Sequence, residues 1–261
     1  MRITSIQNNY LQNKNKSQSK KPNFQAWRNM VLHPNQTHII GQKPKHMNNT
    51  YFFRLSKIWE PLAQYLLERF KDVKKVNVYN LACSDGSEPL SLAMLIRSKY
   101  PQLATKLLPI KAFDYDEVAI ERAMSREYLI NVGEKDSINR NTDKEFNRYF
   151  EAIKRVSSSE QICKLKPELY DDVIFSIGNA LEKCYDINSE NSFVMARNFW
   201  PYLSDEEKIK LAFALSRKMR QNSTLMIGEF DLENRWSDLD IKQLLVQAKF
   251  KPTANNMIYE K

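Results

Sequence analysis

The chain has 261 residues, 42% of them hydrophobic and 11% aromatic, which suits one α/β domain with an appendage or two small domains. No stretch approaches the roughly 18 apolar residues that a membrane-spanning helix needs, and residues 1–16 lack the apolar run of a secretory signal. The three cysteines (Cys83, Cys163 and Cys184) are scattered, which argues against a disulfide framework or a metal cluster. We therefore expect a cytoplasmic protein that binds no metal.

The formal net charge of +9 belongs to one end of the chain. Residues 1–47 carry eight Lys or Arg and no Asp or Glu, which leaves 32 basic and 31 acidic residues in the remainder. This neutral body argues against nucleic-acid binding, because phosphate recognition rests on clustered Lys and Arg. Residues 1–46 are predicted to form a basic, polar, disordered tail, and an arm for an acidic partner is the alternative.

All three histidines (His33, His38 and His46) lie in this tail. The predicted folded body, residues 47–261, therefore has no imidazole to act as general base, nucleophile or zinc ligand. Any reaction carried out by the body has to proceed without one.

The first elements of the body are a helix and a strand. Apolar residues at helical spacing predict a helix from Thr50, as a candidate cap, to about Phe70. A short β-rich run at residues 76–81 predicts a buried strand, followed by a small-residue turn and a helix whose first turn contains Pro89. This is the arrangement by which open α/β sheets hold ligands at the carboxyl ends of strands, although a turn without a ligand is the plain alternative.

A second strand is predicted at residues 110–113, and it ends in Asp114. Asp116 then leads into a helix. An acid in this position hydrogen-bonds a ribose in nucleotide-binding α/β folds. The alternative is that the two aspartates form only a turn and a helix cap.

The rest of the chain continues the alternation of strands and helices. Residues 131–168 are predicted to form a small insertion or subdomain with one short helix containing Phe146, Tyr149, Phe150 and Ile153. Further strands are predicted at residues 172–177, 192–196, 224–230 and 250–259, with a helix after the capping box at Ser204 and another from Ser237. Such alternation predicts an α/β fold with a largely parallel sheet.

Several segments, in the same order, resemble one family, the CheR-type chemotaxis protein-glutamate methyltransferases. The segment with Asn48, Thr50, Phe52, Phe53 and Arg54 resembles the family's Asn-x-Thr-x-Phe-Phe-Arg. Residues 82–89 resemble its cofactor loop, residues 113–116 its second-strand acid pair, and residues 196–203 its Cys-Arg-Asn-x-x-x-Tyr-Phe segment. The resemblance covers about residues 48–260.

The resemblance implies a Rossmann-like class I methyltransferase fold, with a mostly parallel seven-stranded sheet and helices on both faces. It also implies S-adenosyl-L-methionine (SAM) as cofactor, S-adenosylhomocysteine as product, and a chemoreceptor-like protein carrying glutamate side chains as acceptor. On this basis Asp114 would bind the ribose, and Asn179 and Ala180 would border the adenine. Glu88 would pair with the α-ammonium and Arg54 with the α-carboxylate, beside Asn48 and Thr50. Arg54 and Tyr202 are the expected catalytic residues. Arg197 and Asn198 are expected to bind the cofactor and, with Tyr202, to form the wall near the methyl group.

The chain also departs from the family pattern. Ser87 stands where the family has the first of two glutamates, Leu90 replaces a tyrosine, and Gly228 to Asp231 replace Gly-His-Ser-Glu. The polar tail stands in place of the family's N-terminal helical domain. These departures leave two alternatives open: a catalytically silent SAM-binding or partner-binding module, and a methyltransferase with another acceptor such as a small molecule.

Overall fold

A computed structural model describes residues 50–187, 190–233 and 239–261. The predicted tail and Asn48 lie outside these ranges, as does Ser237. The division into a tail and a folded body at residue 47 stays a prediction.

The larger sheet has seven strands in the order β6-β2-β1-β7-β8-β10-β9. Its strands are β1 (Asn77–Leu81), β2 (Ile110–Asp114), β6 (Val173–Ile177), β7 (Ser192–Met195), β8 (Thr224–Met226), β9 (Lys251–Pro252) and β10 (Ile258–Glu260). All neighbours from β6 to β8 pair in parallel, whereas β10 is antiparallel to both β8 and β9. The prediction of an α/β fold with a largely parallel sheet is confirmed.

The helices lie between the strands along the chain. They are α1 (Trp59–Arg69), α2 (Ser87–Lys99), α3 (Pro101–Leu107), α4 (Glu117–Ser125), α5 (Val132–Asn141), α6 (Phe146–Tyr149), α7 (Pro167–Tyr170), α8 (Ala180–Lys183), α9 (Asp205–Lys218) and α10 (Ile241–Gln247). Asp116 caps α4 and Ser204 opens α9 with a complete capping box, as the sequence predicts. Within the described ranges, no helix has the length and apolar character required to cross a membrane.

The order of the sheet reverses between β1 and β7. The chain runs outward from β1 to β2 and β6 on one side, and from β7 to β8 and β10 on the other. Ligands of open α/β sheets bind at such a switch point, outside the carboxyl ends of the strands. The loop after β1 and the helix α2 lie there.

Helix α2 forms the centre of the hydrophobic core. Every residue from Leu90 to Ile96 is buried, as expected of a helix covered on all sides. Helix α1 buries one face made by Trp59, Leu62, Ala63 and Leu66. The core therefore holds the N-terminus of α2 rigidly against the switch point.

The insertion contains a small antiparallel sheet in the order β3-β5-β4, with β3 (Glu127–Asn131), β4 (Phe150–Arg155) and β5 (Glu160–Leu165). The predicted short helix is wrong beyond Tyr149, because Phe150 and Ile153 lie in β4. The ladder of β4 with β5, which begins at the pair Phe150 and Leu165, outweighs the helical spacing of the aromatic residues.

The first predicted helix begins later than expected. Thr50 caps no helix, and the helical backbone begins at Ser56 as a short 3-10 turn that leads into α1. Phe53 and Leu55 have positive φ angles of 53° and 58°, which a helix does not allow. Burial of Phe52, edge-on to Tyr128 and Phe150, holds the segment in this irregular form.

Two further boundaries differ from prediction. The strand expected at residues 224–230 ends at Met226, because the chain turns at Gly228 into a 3-10 turn at Phe230–Leu232. Helix α10 starts at Ile241, where the Asp240 side chain accepts from the backbone N–H groups of Lys242 and Gln243.

Candidate functional site at the carboxyl edge of the parallel sheet

The loop after β1 is a tight turn in which three residues have a left-handed backbone conformation. Ala82, Ser84 and Gly86 have positive φ angles of 59°, 52° and 85°. A Cβ atom on Gly86 would lie 2.6 Å from Cε1 of Phe175, so the position requires glycine. Asp85 closes the turn, since its Oδ1 accepts from the backbone N–H of Ser87 at 3.0 Å and from its hydroxyl at 2.6 Å.

Asp114 joins this turn to the end of β2. Its buried carboxylate accepts from the backbone N–H of Ser84 at 2.7 Å and from that of Asp116 at 2.9 Å. The structure therefore brings together the turn and the acid, which the sequence places about thirty residues apart. Carboxylate oxygens accept more than one hydrogen bond, so Asp114 can also accept from a ligand hydroxyl.

The end of β6 lies beside Asp114. The backbone N–H of Gly178 donates to the carbonyl oxygen of Asp114 at 2.8 Å. Asn179 is exposed and caps α8, its Oδ1 accepting from the N–H of Leu181 at 2.9 Å, while Ala180 is partly buried. The residues expected to border the adenine thus adjoin the residue expected to bind the ribose.

Glu88 and Arg197 form an ion pair across the switch point. Nη1 of Arg197, from the end of β7, lies 2.7 Å from Oε2 of Glu88 in the first turn of α2, and Nδ2 of Asn80 donates to Oε1 at 2.8 Å. The Arg197 side chain is fully buried, with its guanidinium 5.5 Å from the centre of the Trp59 ring. The sequence singled out both charged residues but did not predict that they pair.

This ion pair leaves buried polar atoms without partners. Among the described residues, Nε and Nη2 of Arg197, Oδ1 of Asn80 and the hydroxyl of Ser84 make no hydrogen bond. Buried polar groups are nearly always hydrogen-bonded, so a cluster of such atoms at one edge of a sheet marks a place where a polar ligand fits.

The segment from Thr50 to Arg54 is anchored against the same edge. The N–H of Phe53 donates to the hydroxyl oxygen of Ser91 at 2.8 Å, and that of Phe52 to Oε1 of Glu134 at 3.2 Å. The carbonyl oxygen of Arg54 accepts from Nε1 of Trp59 at 3.0 Å. Thr50 and Arg54 are partly buried, and the bonds at Phe52, Phe53 and Arg54 fix the backbone from which the Arg54 side chain extends.

Tyr202 lies in the loop after β7, in a 3-10 turn at Trp200–Tyr202. Its side chain is 46% exposed, and its ring centre lies 6.1 Å from that of Phe230. Desolvation raises the pKa of its hydroxyl and Asp231 raises it further, while Arg54 acts against both. At neutral pH the phenol is therefore protonated, and it can donate a hydrogen bond.

Asp231 is a residue of this region that the sequence reasoning did not assign a role. Its Oδ2 accepts from the N–H groups of Asn198 and Gly228, both at 2.6 Å, and its Oδ1 accepts from that of Trp200 at 3.2 Å. Desolvation raises its pKa to about 7, although the three backbone bonds and Arg197 act in the opposite direction. The sequence indicated Asp231 only as part of the segment from Gly228 to Asp231 that departs from the family pattern.

Comparison with known proteins gives one family and several distant relatives. The family model of the SAM-binding domain of CheR methyltransferase matches residues 48–238. A chemotaxis protein methyltransferase of Listeria monocytogenes is 24% identical over 184 residues, which are 70% of this chain and 64% of that protein. One from Salmonella typhimurium is 26% identical over 155 residues, or 59% of this chain and 50% of that protein.

The curated relatives are longer than the part that aligns with this chain, which spans less than two thirds of the Listeria protein. Among solved structures, a magnesium protoporphyrin IX methyltransferase from Synechocystis PCC 6803 aligns with a TM-score of 0.43 and 11% identity. That alignment covers 79% of this chain and 78% of the other.

Proposed function

Because the chain belongs to the CheR methyltransferase family, whose SAM-binding-domain model matches residues 48–238, we propose that it is a SAM-dependent methyltransferase. The proposed acceptor is a glutamate side chain of a protein, such as a chemoreceptor-like protein, and the product is a carboxyl methyl ester. Curated relatives named chemotaxis protein methyltransferases support this acceptor class.

The observation that carries the proposal is the Glu88–Arg197 pair, in which the arginine is fully buried and the glutamate partly exposed. Arg197 presents Nε and Nη2 without a partner among the described residues, beside a carboxylate whose oxygens each have a further lone pair. A free amino-acid group, with one carboxylate and one ammonium, complements such a pair. The methionine end of SAM is a group of this kind, so the residues present fit the cofactor.

We propose the following division of roles at this end. Arg197 and Arg54 would hold the α-carboxylate, with Asn48 and Thr50 lining the same end, while Glu88 would hold the α-ammonium. The sequence expectation gave the carboxylate to Arg54 alone. The unpartnered nitrogens of Arg197 are the reason to add this second arginine.

At the other end, Asp114 would accept from the ribose hydroxyls. Its carboxylate is already oriented by Ser84 and Asp116, so little reorganisation is needed on binding. Asn179 and Ala180 would border the adenine, since the adjoining Gly178 is hydrogen-bonded to Asp114.

The proposed reaction needs no general base. A glutamate carboxylate has an ordinary pKa of about 4.3 and is ionised at neutral pH, which agrees with a body that lacks histidine. When bound, SAM supplies an activated methyl group on a sulfonium centre. The protein's part is to orient the acceptor and exclude water, and orientation alone contributes about 7–11 kcal/mol in well-held systems.

Arg54 and Tyr202 are the proposed catalytic residues. The influence of Arg54 on the Tyr202 pKa indicates that the two side chains share one region of the site. A protonated phenol and a guanidinium both donate hydrogen bonds, so together they can hold an acceptor carboxylate, with Asn198 forming part of the same wall.

One observation favours the second candidate, a catalytically silent module. Both oxygens of Glu88 already have protein partners, and Ser87, where the family has a glutamate, is turned toward Asp85. In this case the ion pair would be a structural contact, and the chain would bind SAM weakly or without turnover.

Two measurements separate these candidates. We expect calorimetric titration with SAM to give micromolar binding, and the absence of binding below millimolar concentration would refute the shared premise. Incubation with methyl-labelled SAM and a lysate of the source cells is then expected to label protein, with the label released as methanol by alkali. Alkali-stable label would indicate another acceptor, and binding without label would favour the silent module.

A further inference from the structure

Two neighbouring loops meet at a single buried carboxylate. The loop after β7 carries Arg197, Asn198 and Tyr202, and the loop after β8 carries Gly228 and Phe230. Asp231, only 2% exposed, accepts from two backbone N–H groups of the first loop and from one of its own.

We propose that Asp231 is a positioning residue that ties these two loops together and so sets the place of the Tyr202 hydroxyl opposite the acceptor. This inference rests on the proposed methyl transfer, in which Tyr202 takes part. Asp231 itself touches neither SAM nor the acceptor in this scheme.

The backbone at the contact between the two loops has a specific, left-handed form. Asn198 has a φ angle of 62°, in the left-handed region. A Cβ atom on Gly228 would lie 2.3 Å from Oδ1 of Asn198 and 2.9 Å from its backbone nitrogen, so the two loops are in close contact. Asparagine adopts the left-handed region more readily than other residues with a side chain, and here the surrounding contacts select this conformation. The Asp231 carboxyl group supplies that restraint, because it accepts from the backbone N–H groups of both loops.

The restraint acts on the Tyr202 end of the loop more than on the Arg197 end. Ala196 is held separately, because its N–H donates to the carbonyl oxygen of Met226 at 2.8 Å and its carbonyl oxygen accepts from Nε1 of Trp200 at 2.8 Å. Arg197, the next residue, is further fixed by Glu88. Loss of Asp231 therefore frees Asn198 and the backbone of Trp200, and with them the turn that carries Tyr202.

Arg197 also acts on Asp231. Its positive charge works against the rise in the Asp231 pKa, so the two groups attract each other when the carboxyl group is ionised. A neutral side chain at residue 231 would keep some of the backbone bonds and lose this attraction.

The experiment compares Asp231→Asn with Asp172→Asn in the full chain. Asp172 is a matched control: a buried carboxylate just before β6, at the amino-terminal edge of the sheet, paired with Arg97. Both variants replace a buried carboxyl group by an amide, and only one of them lies in the proposed site. For each we would measure SAM affinity by calorimetry, methyl transfer from labelled SAM to source-cell lysate, and hydrogen exchange of a peptide covering residues 198–203.

We expect Asp231→Asn to lower the turnover number about tenfold to a hundredfold, because a misplacement of about 1 Å can cost a factor of a hundred. SAM affinity should change less than threefold. Exchange in peptide 198–203 should become faster in Asp231→Asn than in Asp172→Asn, which should keep wild-type turnover. Equal turnover, or equal exchange, in the two variants would overturn the inference.

Two features keep the outcome interpretable. If Asp231→Asn does not fold, hydrogen exchange in the wild-type protein still tests the inference. The backbone N–H groups of Asn198, Trp200 and Gly228 must then be protected from exchange, and unprotected groups would overturn the inference. If the wild type neither binds SAM nor transfers methyl groups, the proposed function fails first. A wild type that is active while Asp231→Asn keeps its rate refutes only the role of Asp231.

Discussion

Replacement of Asp114 by alanine tests the cofactor site most directly. The side chain is 5% exposed, and its carboxylate is oriented by the N–H groups of Ser84 and Asp116. In the proposed complex it also accepts from the ribose. A hydrogen bond to a charged group contributes about 1.5–3 kcal/mol, so its loss should weaken SAM binding roughly 10- to 150-fold.

The same change should also affect stability. Two buried N–H groups lose their acceptor, which costs roughly 1–3 kcal/mol for each group left unsatisfied. Affinity must therefore be measured on protein shown to be folded by a cooperative urea transition. Asp172→Ala is the control, because it removes a buried carboxylate at the opposite edge of the sheet and should leave SAM affinity at the wild-type value.

The assay is calorimetric titration with SAM and, separately, with S-adenosylhomocysteine. Both ligands carry the ribose, so both should lose affinity by a similar factor in Asp114→Ala. A folded variant with a Kd for both ligands within threefold of the wild type would refute the ribose assignment. Loss of affinity for one ligand alone would also contradict it.

The remaining predictions concern turnover, pH and the loop after β1. Tyr202→Phe should reduce methyl transfer at least about tenfold with little change in SAM Kd, because the hydroxyl acts on the acceptor; an unchanged rate would remove Tyr202 from the mechanism. Desolvation raises the folded-state pKa of Glu134 from its ordinary value of 4.5 to about 7, although its backbone bonds act against the rise. Between these values the folded state holds a proton that the unfolded state has released, so stability falls as pH rises through this window. Glu134→Gln should therefore flatten the decline in urea midpoint between pH 5 and about 7.5, and an equal decline in the variant would contradict the assignment. Gly86→Ala should destabilise the protein by at least ~1–3 kcal/mol, since its φ is positive and its Cβ would meet Phe175. Gly133→Ala, which meets only the Asn131 side chain at 3.2 Å, should change the urea midpoint far less.

Local patterns in the sequence were sufficient for much of the fold. The strand that ends at Asp114, the cap at Asp116 and the capping box at Ser204 all depend on residues within a few positions of each other. The alternation of strands and helices then predicted the parallel sheet. Because parallel strands end at one edge, the strand ends also predicted that the turn after β1 and Asp114 would meet there, and the family resemblance added Glu88 and Arg197 to the same site.

Other features depend on contacts between distant parts of the chain, and local patterns do not contain them. The predicted helix from Thr50 yields to the burial of Phe52 against Tyr128 and Phe150, which come from the insertion. The helical spacing at Phe150 yields to pairing with β5. In both places a long-range contact outweighs a local preference worth a few tenths of a kcal/mol per residue, on the order seen for helix propensity.

The site shows the same division. The sequence named Glu88 and Arg197 as site residues, because their segments resemble the family's cofactor loop and its Cys-Arg-Asn segment. Only the tertiary structure decided that they pair across 109 positions, and that Asp231 holds Asn198 and Gly228 together. A buried charged group is stable only where oppositely charged or hydrogen-bonding groups surround it. Those groups come from distant parts of the chain, so only the folded sheet determines which of them lie next to it.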